Sequence, residues 1–462
     1  MTIKMMTRRS FLSLSAATAA ALGISFLPVE TAEACFAIPD AQNLLEEAYL
    51  YAFPLVIMNA TKIYSTNTET ANNIRAPINQ FNHARKLADA SFRTVVTPNV
   101  DTIYTQAWLD LSEEPMIYVV PATDRFFNVQ VLDAWTNTAA VLEEPGIYAI
   151  VRSGWQGTLP EGVRKIEVPT TTVWTIARIV LSGTEDLPNV YAIQEQMQLM
   201  PLSMYTSGSY VPPKGSYVPE NDFIPVNKVL AMTPKEFFDT ANDLMVLNPP
   251  APEDAALLRR LAALHVGPGE TFDESLLGLG GTLRWKMMLL QLKSKLTEQA
   301  TQYARQMGQW IYYGDPIGDF GTEYTYRTMV ALIGLGANTT DIAIYPKTEV
   351  DSSGNTLTGK RTYKLHFTSF PPTVDNGFWS VTAYGDDDFL IDNPIGRYCV
   401  NDRSGLTPNA DGSVDVILSA DAPEDTTNWL PIAKGGFHLF LRIYKPDWNT
   451  LNNWQAPTVD VR

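Results

Sequence analysis

The sequence predicts an α+β protein that is β-rich at both ends and has a helical layer between them. Short apolar runs broken by Pro, Gly and Asp recur from Arg93 to Arg178, which is typical of a β-rich domain. Helical spacing of apolar residues then dominates from Thr233 to Gly308. From Tyr363 onward short strand-like runs and turn residues return, which predicts a C-terminal β-sandwich or jelly roll.

The first 34 residues carry the features of an export signal. Lys4, Arg8 and Arg9 precede an apolar, Ala-rich stretch, and Ala32-Glu33-Ala34 is a small-x-small cleavage site. Paired arginines before an apolar run match the twin-arginine pattern, with ordinary Sec export as the alternative. Ala32 stands where a lipobox prefers Leu, which favours soluble release. We expect a periplasmic or secreted protein that meets the twin-arginine export machinery before residues 1–34 are removed.

Composition excludes several classes of partner. The chain has 34 basic and 50 acidic residues, a net charge of −16, so nucleic acid and anionic membrane surfaces should repel it. No other apolar run approaches the ~20 residues of a membrane span. The two cysteines, Cys35 and Cys399, either form a disulfide or are two unrelated thiols, and they are too few for a cysteine-rich metal site. Homo-oligomerisation is left open.

Helices and loops are predicted from apolar spacing and capping residues. Residues 39–63 are expected to form a helix that Pro54 bends or ends, and residues 282–309 the longest helix. Thr233-Pro234-Lys235-Glu236 is a capping box at a helix start. Residues 203–225, which repeat Ser-Tyr-Val-Pro, are expected to form a loop that either covers a pocket or packs on the surface.

In the C-terminal third, runs of β-branched and aromatic residues predict the strands of the sandwich. The expected strands are Tyr363 to Phe367, Phe378 to Tyr384, Val414 to Leu418 and Phe437 to Tyr444, with Trp429-Leu430-Pro431 as an edge segment.

Two stretches of the chain resemble known families. Asn79 to His83, Pro98 to Tyr104, Trp108 to Leu111 and Asn128 to Asp133 resemble the DUF1254 domain. Phe378 to Tyr384, Asn393 to Tyr398, Asn428 to Pro431 and Phe437 to Tyr444 resemble the companion DUF1214 domain. The resemblance implies a β-rich domain, helices and a β-sandwich, and it brings no settled reaction. We expect boundaries at 1–34 for the signal, 35–200 and 331–462 for the two domains, and 201–330 for the linking loop and helices.

Residues 97–111 concentrate polar and aromatic side chains and are the candidate centre of a site. If residues 100–109 form a strand, alternation places Asp101 with Ile103 on one face and Tyr104 with Trp108 on the other. Asp101 and Tyr104 can then share one site only if a turn at Asn99 redirects Asp101. Asp101 is either a turn or capping residue or a functional carboxylate.

The functional hypothesis is an enzyme that acts on a small organic molecule in a pocket between the two β domains. Its catalytic residues would be Asp101, Tyr104, Asp133 and His83, with Asp101 or Asp133 as general base and Tyr104 or His83 as proton donor. Desolvation by Trp108 and Trp135 would raise the pKa of the base. Substrate contacts are expected from Asn99, Trp108, Arg178, His366 and Trp379. The alternative is a periplasmic binding or assembly protein without chemistry.

Metal and nucleotide sites are not supported by local motifs. Four histidines are present without His-x-x-x-His or His-Glu-x-x-His spacing, so either His83 and His366 form a composite site or each is hydrogen-bonded in a strand. Gly354 to Lys360 matches Gly-x-x-x-x-Gly-Lys, but Arg361 follows where a P-loop needs Ser or Thr and no helix is expected there. No metal is assigned, and the cofactor is left open.

Overall fold

The computed structural model describes residues 41–93, 96–208, 210–278 and 280–462. The predicted export signal, Asp40 and Cys35 lie outside these residues. Within them the chain has the predicted α+β fold, with β-rich parts on both sides of a helical layer. No helix in the described ranges combines the length and the apolar character needed to cross a bilayer.

The N-terminal β-rich part is a sandwich of two sheets. One sheet has the strand order β1-β2-β8-β4-β5 and the other the order β7-β6-β3-β9. Ile103 and Val131 from the first sheet pack against Tyr118 and Ile150 from the second in one buried apolar cluster. The strands are β1 Asn82–His83, β2 Thr102–Asp110, β3 Met116–Val120, β4 Phe127–Leu132, β5 Thr138–Leu142, β6 Gly146–Arg152, β7 Val163–Val168, β8 Thr172–Val180 and β9 Gln198–Pro201.

The C-terminal part is a second sandwich, as predicted. The larger sheet has the order β10-β11-β13-β19-β15-β16 with β12 beside β19, and the smaller has the order β18-β17-β14-β20. Val381 and Leu441 from the larger sheet share a core with Leu365 and Val416 from the smaller. The strands are β10 Ala304–Met307, β11 Trp310–Tyr313, β12 Ala343–Ile344, β13 Lys347–Thr348, β14 Tyr363–Phe367, β15 Thr373–Gly385, β16 Cys399–Asn401, β17 Val414–Ser419, β18 Trp429–Pro431, β19 Phe437–Pro446 and β20 Thr458–Val461.

The helices form a separate apolar cluster between the sandwiches. Side chains such as Tyr49, Phe237, Trp285 and Met329 bring four helices distant in sequence into this cluster, including the first helix of the described chain. The helices are α1 Ala41–Ser65, α2 Leu187–Gln196, α3 Leu202–Ser207, α4 Pro225–Leu230, α5 Pro234–Leu247, α6 Ala255–Leu261, α7 Gly281–Ala300, α8 Tyr324–Ile333 and α9 Trp448–Leu451.

Pro54 does not end the first helix, which continues to Ser65. A proline inside a helix has no N–H for the carbonyl four residues earlier, here that of Leu50. The Thr328 hydroxyl of α8 donates to that carbonyl instead. A tertiary hydrogen bond therefore replaces the missing helical one and makes the proline tolerable.

The helix expected over 282–309 ends earlier than predicted, and it is not the longest helix of the described chain. α7 ends at Ala300 and has 20 residues, whereas α1 has 25. The chain after α7 forms the β10–β11 hairpin, with Met307 opposite Trp310 and Gly308 at a φ of 60° in its turn. Glycine tolerates this left-handed conformation, so the chain reverses there rather than continuing as a helix.

Two further local predictions are confirmed. Thr233 and Glu236 form the reciprocal capping box at the start of α5. After Gly354 to Lys360 the chain enters strand β14 and not a helix, so this segment lacks the helix N-terminus that a P-loop presents to phosphate.

The nitrogen of Gly359 donates to the Gly435 carbonyl at 2.7 Å, and a Cβ on Gly359 would stand 1.8 Å from the Ala433 carbonyl oxygen. Close contact between two chain segments therefore requires this glycine.

The expected loop over 203–225 begins as a helix, since residues 203–207 belong to α3, and its later part packs on the surface. The Asn67 side chain bonds both the N–H and the C=O of Val218, and the nitrogen of Gly215 donates to the Glu69 carbonyl at 2.9 Å. These bonds fix the loop against the chain that follows α1. Its end, residues 222–225, reaches a cavity described below.

Candidate functional site

A cavity of about 2370 Å³, open to solvent on one side, is lined by both sandwiches and the helical layer, and we call it the shared cavity. Strands β2 and β8 supply one wall, helices α1, α4, α7 and α8 supply others, and β11, β13 and β19 supply the side of the C-terminal sandwich. The wall from the N-terminal sheet includes Thr102, Tyr104, Gln106, Trp108, Trp174, Ile176 and Arg178.

Strand alternation places the polar and aromatic residues of β2 in this cavity. Tyr104 and Trp108 line it, whereas Ile103 and Leu109 point into the core between the two N-terminal sheets. The division of this strand into two faces is therefore confirmed. On the cavity face, the rings of Trp108 and Trp174 stack with centroids 5.0 Å apart at 4°, and they give that part of the wall a flat apolar surface.

Arg178 lies next to Tyr104 across the sheet, because the two residues are paired in the β2–β8 register. Its guanidinium is 5.8 Å from the Tyr104 ring centroid. It donates at 2.9–3.0 Å to Gln130 Oε1, Asn338 Oδ1 and the Gly336 carbonyl. All three acceptors are neutral. The side chain is thus held rigidly at the cavity wall while its charge is left without a carboxylate in the described part of the chain.

Two tyrosines of the C-terminal sandwich, Tyr345 and Tyr444, line the same cavity as Arg178 and Tyr104. Tyr444 Oη accepts a 2.7 Å hydrogen bond from Asn99 Nδ2, and Tyr345 Oη accepts one of the same length from Asn338 Nδ2. Their rings meet edge to face at 6.2 Å. Burial, with further contributions from Tyr345 and Tyr104, raises the pKa of Tyr444 well above its ordinary value. Tyr444 therefore stays protonated and is a hydrogen-bond donor, not a base.

Arg442 completes this group, and the sequence reasoning missed it. It lines the cavity from β19, is 4% exposed, and donates to Thr382 Oγ1, the Thr97 carbonyl and Tyr384 Oη. The signal that identifies it is strand alternation, because Phe440, Arg442 and Tyr444 lie at spacing two and all face the cavity. We call Tyr104, Arg178, Tyr345, Arg442 and Tyr444 the tyrosine–arginine cluster.

Asn99 forms the turn that a shared site for Asp101 and Tyr104 would require, but Asp101 is directed away from the cavity. Asn99 Oδ1 accepts from the backbone nitrogens of Asp101 and Thr102 at 2.7 and 3.1 Å. Asp101, 1% exposed, accepts from Ser380 Oγ at 2.6 Å and pairs with Arg403 at 3.3 Å. Both partners belong to the C-terminal sandwich. Asp101 and Tyr104 are therefore not brought into one site, and Asp101 joins the two sandwiches.

Asp133 and Trp379 also lie outside the cavity wall. Asp133 Oδ1 accepts from the backbone nitrogens of Trp135 and Asn137 in the β4–β5 turn at 2.8 and 2.9 Å. Burial raises the pKa of Asp133, although these bonds oppose the shift. Trp379 packs on Phe367 inside the C-terminal sandwich. Asp133 therefore stabilises the β4–β5 turn, and Trp379 is a core residue of the C-terminal sandwich.

The two histidines proposed as a composite site have separate partners. His83 Nδ1 is 2.9 Å from Thr105 Oγ1, on the face of the sheet opposite Tyr104. His366 Nδ1 is 2.6 Å from Asp415 Oδ1 in the smaller C-terminal sheet. Neither lines the shared cavity. Across the described residues, no three His, Cys, Asp or Glu side chains are grouped so that they can hold a metal ion.

His83 predicts an acid sensitivity of the fold. Burial, aided by the nearby Arg85, lowers its pKa from 6.5 to about 4. The unfolded state then takes up a proton at a higher pH than the folded state, so stability should fall as pH drops from 6.5 towards 4, by up to about 3 kcal/mol. His83→Asn, which cannot titrate, should flatten this part of the profile in urea unfolding measured from pH 8 to pH 4. Measurement at pH 8 isolates the cost of the substitution, and an unchanged slope would contradict the assignment.

Comparison with known proteins identifies two domains of unknown function. The DUF1254 family matches residues 78–201, and the DUF1214 family matches residues 342–448. No curated protein matches the chain significantly. The crystal structure of the VPA0106 protein from Vibrio parahaemolyticus is similar with a TM-score of 0.67 and 22% identity, over 91% of this chain and 99% of that chain.

An uncharacterized protein from Burkholderia cenocepacia aligns over 98% of both chains with a TM-score of 0.42 and 13% identity. The similarity to the Vibrio protein concerns the fold alone. The two family matches fall on the two sandwiches, in the order that the sequence motifs predict. The chain therefore carries a DUF1254 domain followed by a DUF1214 domain, both of unknown function.

Proposed function

We propose that this protein binds an amphipathic organic molecule in the shared cavity. The observation that carries the proposal is the combination of a large, mostly apolar wall with the tyrosine–arginine cluster, in which two buried arginines lie beside tyrosine hydroxyls. Ligand pockets of ~300–1000 Å³ are usual, and apolar walls with a few oriented polar groups are their common design. A cavity of about 2370 Å³ has room for an elongated molecule.

The mouth of the cavity favours an apolar ligand. Ile74, Ile224 and Leu290 all line the cavity and are 71%, 57% and 41% exposed. Exposed apolar side chains that are contiguous with an apolar interior commonly mark a ligand-binding groove. Entry past these residues would transfer the apolar part of a ligand from water directly onto an apolar surface.

Binding is favoured over catalysis by the protonation states and positions of the ionisable groups. The expected bases Asp101 and Asp133 are engaged elsewhere, and His83 lies on the opposite face of the sheet. Tyr444, within the cavity, has a pKa raised by burial and stays a donor. A general base within reach of a ligand proton is the first requirement of acid–base chemistry, and these predicted residues do not meet it.

The proposed location is the periplasm or the extracellular space. It is supported by the sequence of residues 1–34, with its paired Arg8 and Arg9, apolar stretch and Ala32-Glu33-Ala34 cleavage site. An exported protein of this kind would meet its ligand outside the cytoplasm. The export machinery would then be a transient partner of the precursor.

The proposal is tested with the neutral fluorescent probe N-phenyl-1-naphthylamine, which emits strongly in apolar surroundings. Wild-type protein should enhance its fluorescence, and dodecanol should displace it. Leu290→Trp places a larger ring in the cavity mouth and should weaken probe binding about tenfold or more, by steric exclusion.

Leu283→Trp is the matched control, because Leu283 is on the same helix, is 66% exposed and does not line the cavity. It should bind the probe as wild type does. Equal binding by Leu290→Trp and Leu283→Trp, or no enhancement with wild-type protein, would refute binding in this cavity.

A further inference from the structure

We propose that the ligand of the shared cavity carries an anionic oxygen head group, a carboxylate or a phosphate ester, which the tyrosine–arginine cluster binds. The inference rests on the proposed function, since it names the chemical class of the molecule that the cavity takes. It goes further because it assigns roles to particular side chains. The cluster is defined above by Tyr104, Arg178, Tyr345, Arg442 and Tyr444.

Two guanidinium groups at the cavity wall lack a carboxylate partner in the described ranges. Arg178 and Arg442 are 5% and 4% exposed. Each donates three hydrogen bonds, all to amide, hydroxyl or carbonyl oxygens that carry no full charge. A buried cation is costly unless an opposite charge lies nearby, and neutral acceptors do not supply one. Burial lowers the pKa of Arg442, but Tyr384 and then Asp101, whose carboxylate acts from outside the cavity wall, raise it above its ordinary value. The missing charge is therefore chiefly that of a partner for Arg178, and an anion bound at the cluster would supply it.

The hydroxyl groups around these arginines also have O–H hydrogens that are free to donate to a ligand. Tyr345 and Tyr444 each accept an amide N–H from an asparagine, which leaves their own O–H hydrogens to donate. In the described chain, the Tyr104 hydroxyl makes no hydrogen bond to another protein group. Thr102, 1% exposed and part of the cavity wall, has a hydroxyl without a hydrogen-bond partner among the described residues. A ligand that satisfies this set must be an acceptor.

The carboxylates that line the same cavity do not compete for the arginines. Three are neutralised by their own basic partners, one lies near a lysine, and the remaining one, Asp386, is exposed. The pairs and their separations are Asp222 with Arg75 at 2.5 Å, Asp387 with Arg93 at 2.7 Å, Glu349 with Lys347 at 2.6 Å and Asp89 with Lys86 at 3.7 Å. Positive charge without an ion-pair partner is thus concentrated in the cluster, although the whole chain is acidic.

The side chains next to the cluster indicate the chemistry of the part of the ligand that follows its head group. Tyr104 and Trp108 are four residues apart on one face of β2, with Gln106 between them, so the stacked Trp108 and Trp174 rings follow the cluster along the sheet. An anionic head at Arg178 would therefore be followed by an apolar segment lying on these rings. Oxyanions suit the head position, because guanidinium and hydroxyl donors form their shortest and strongest hydrogen bonds to charged oxygen.

The test is displacement of N-phenyl-1-naphthylamine from the full-length mature protein by four ligands of equal chain length. They are dodecanoate, dodecyl phosphate, dodecanol and dodecyltrimethylammonium, each below its micelle concentration. At least one of the two anions should displace the probe at about tenfold lower concentration than dodecanol, the factor expected from one charge-assisted hydrogen bond. The ranking of the two anions identifies which head group the cluster prefers, and the cation should be the weakest ligand.

Two variants connect this preference to the cluster. Arg178→Met and Tyr444→Phe should each reduce the advantage of the anion over dodecanol while dodecanol still binds, and the tyrosine variant keeps the test available if Arg178→Met does not fold. Arg259→Met, at an exposed arginine of α6 outside the cavity, should keep the full preference.

Equal displacement by dodecanol and both anions, or an anion preference that survives both cluster variants, would overturn the inference and leave cavity binding standing. If none of the four ligands displaces the probe, or the probe itself does not bind, the proposed function fails together with the inference.

Discussion

Asp101→Asn is expected to lower the free energy of unfolding by about 3–5 kcal/mol, the usual cost of removing one partner from a buried charge pair. Asp101 is fully enclosed and accepts hydrogen bonds from Ser380, Asn401 and Arg403 of the C-terminal sandwich. An amide in its place removes the buried one of the two carboxylates that pair with Arg403, leaving only Asp402, and turns its own NH₂ or carbonyl towards mismatched donors. Urea unfolding followed by circular dichroism measures the loss.

Two further variants make this measurement specific. Asp341→Asn, at an exposed aspartate, should change the free energy of unfolding by less than about 0.5 kcal/mol. Arg403→Met in the Asp101→Asn background should recover part of the loss, because it removes the cation that has lost its buried partner and keeps only Asp402. If Asp101→Asn is as stable as wild type but no longer binds ligand, Asp101 returns to the functional role that the sequence suggested.

Asp254→Asn is expected to destabilise the helical layer by a similar ~3–5 kcal/mol. Asp254, 2% exposed, accepts from Tyr51 Oη at 3.0 Å and from Tyr324 Oη at 2.7 Å. Arg327, 3% exposed, lies 5.3–5.8 Å from the ring centroids of Tyr51, Trp135 and Tyr324. Burial lowers the pKa of Arg327, and Asp254 is the strongest of the groups that oppose this shift. Without the Asp254 carboxylate, this buried cation keeps only the weaker influence of Asp133 among the carboxylates that act on it.

A double-mutant cycle distinguishes this charge coupling from a loss of packing. Arg327→Met alone should also destabilise the fold, and the double variant Asp254→Asn/Arg327→Met should be more stable than the sum of the single losses by roughly 0.5–3 kcal/mol. Additive losses in urea unfolding would show that the two charges do not interact and that the tyrosine bonds to Asp254 account for its effect.

Much of the fold was predictable because strands and caps depend on neighbouring residues. The strand Tyr363–Phe367 and the capping box of Thr233 and Glu236 were predicted at the positions where they occur. Alternation along β2 correctly separated Ile103 from Tyr104. These features follow from side-chain period and local hydrogen bonds, which can be recognised in a short window of sequence.

The errors arose where a distant segment changed the outcome. Pro54 was expected to bend or end its helix, and the helix does not end there, because Thr328, 274 positions later in the chain, bonds the carbonyl that the proline leaves without its helical partner. α7 was expected to continue to Gln309, but the chain after Ala300 forms a hairpin that joins the C-terminal sheet. In both cases local propensity was outweighed by contacts that the local pattern does not contain.

In the candidate site, too, local pattern predicted some features and contacts between distant segments determined the others. Of the residues named from sequence, Asn99, Tyr104, Trp108 and Arg178 line the shared cavity, whereas Asp101, Asp133, His83, His366 and Trp379 do not. The sequence established an α+β chain, a polar and aromatic strand face at residues 102–108, and its two families. The fold established that Arg442 and Tyr444 face Arg178 and Tyr104, and that Asp101 joins the two sandwiches instead of facing a ligand. The reason is physical: strand period determines which side chains share a face, but what lies opposite that face depends on strands more than 250 residues away.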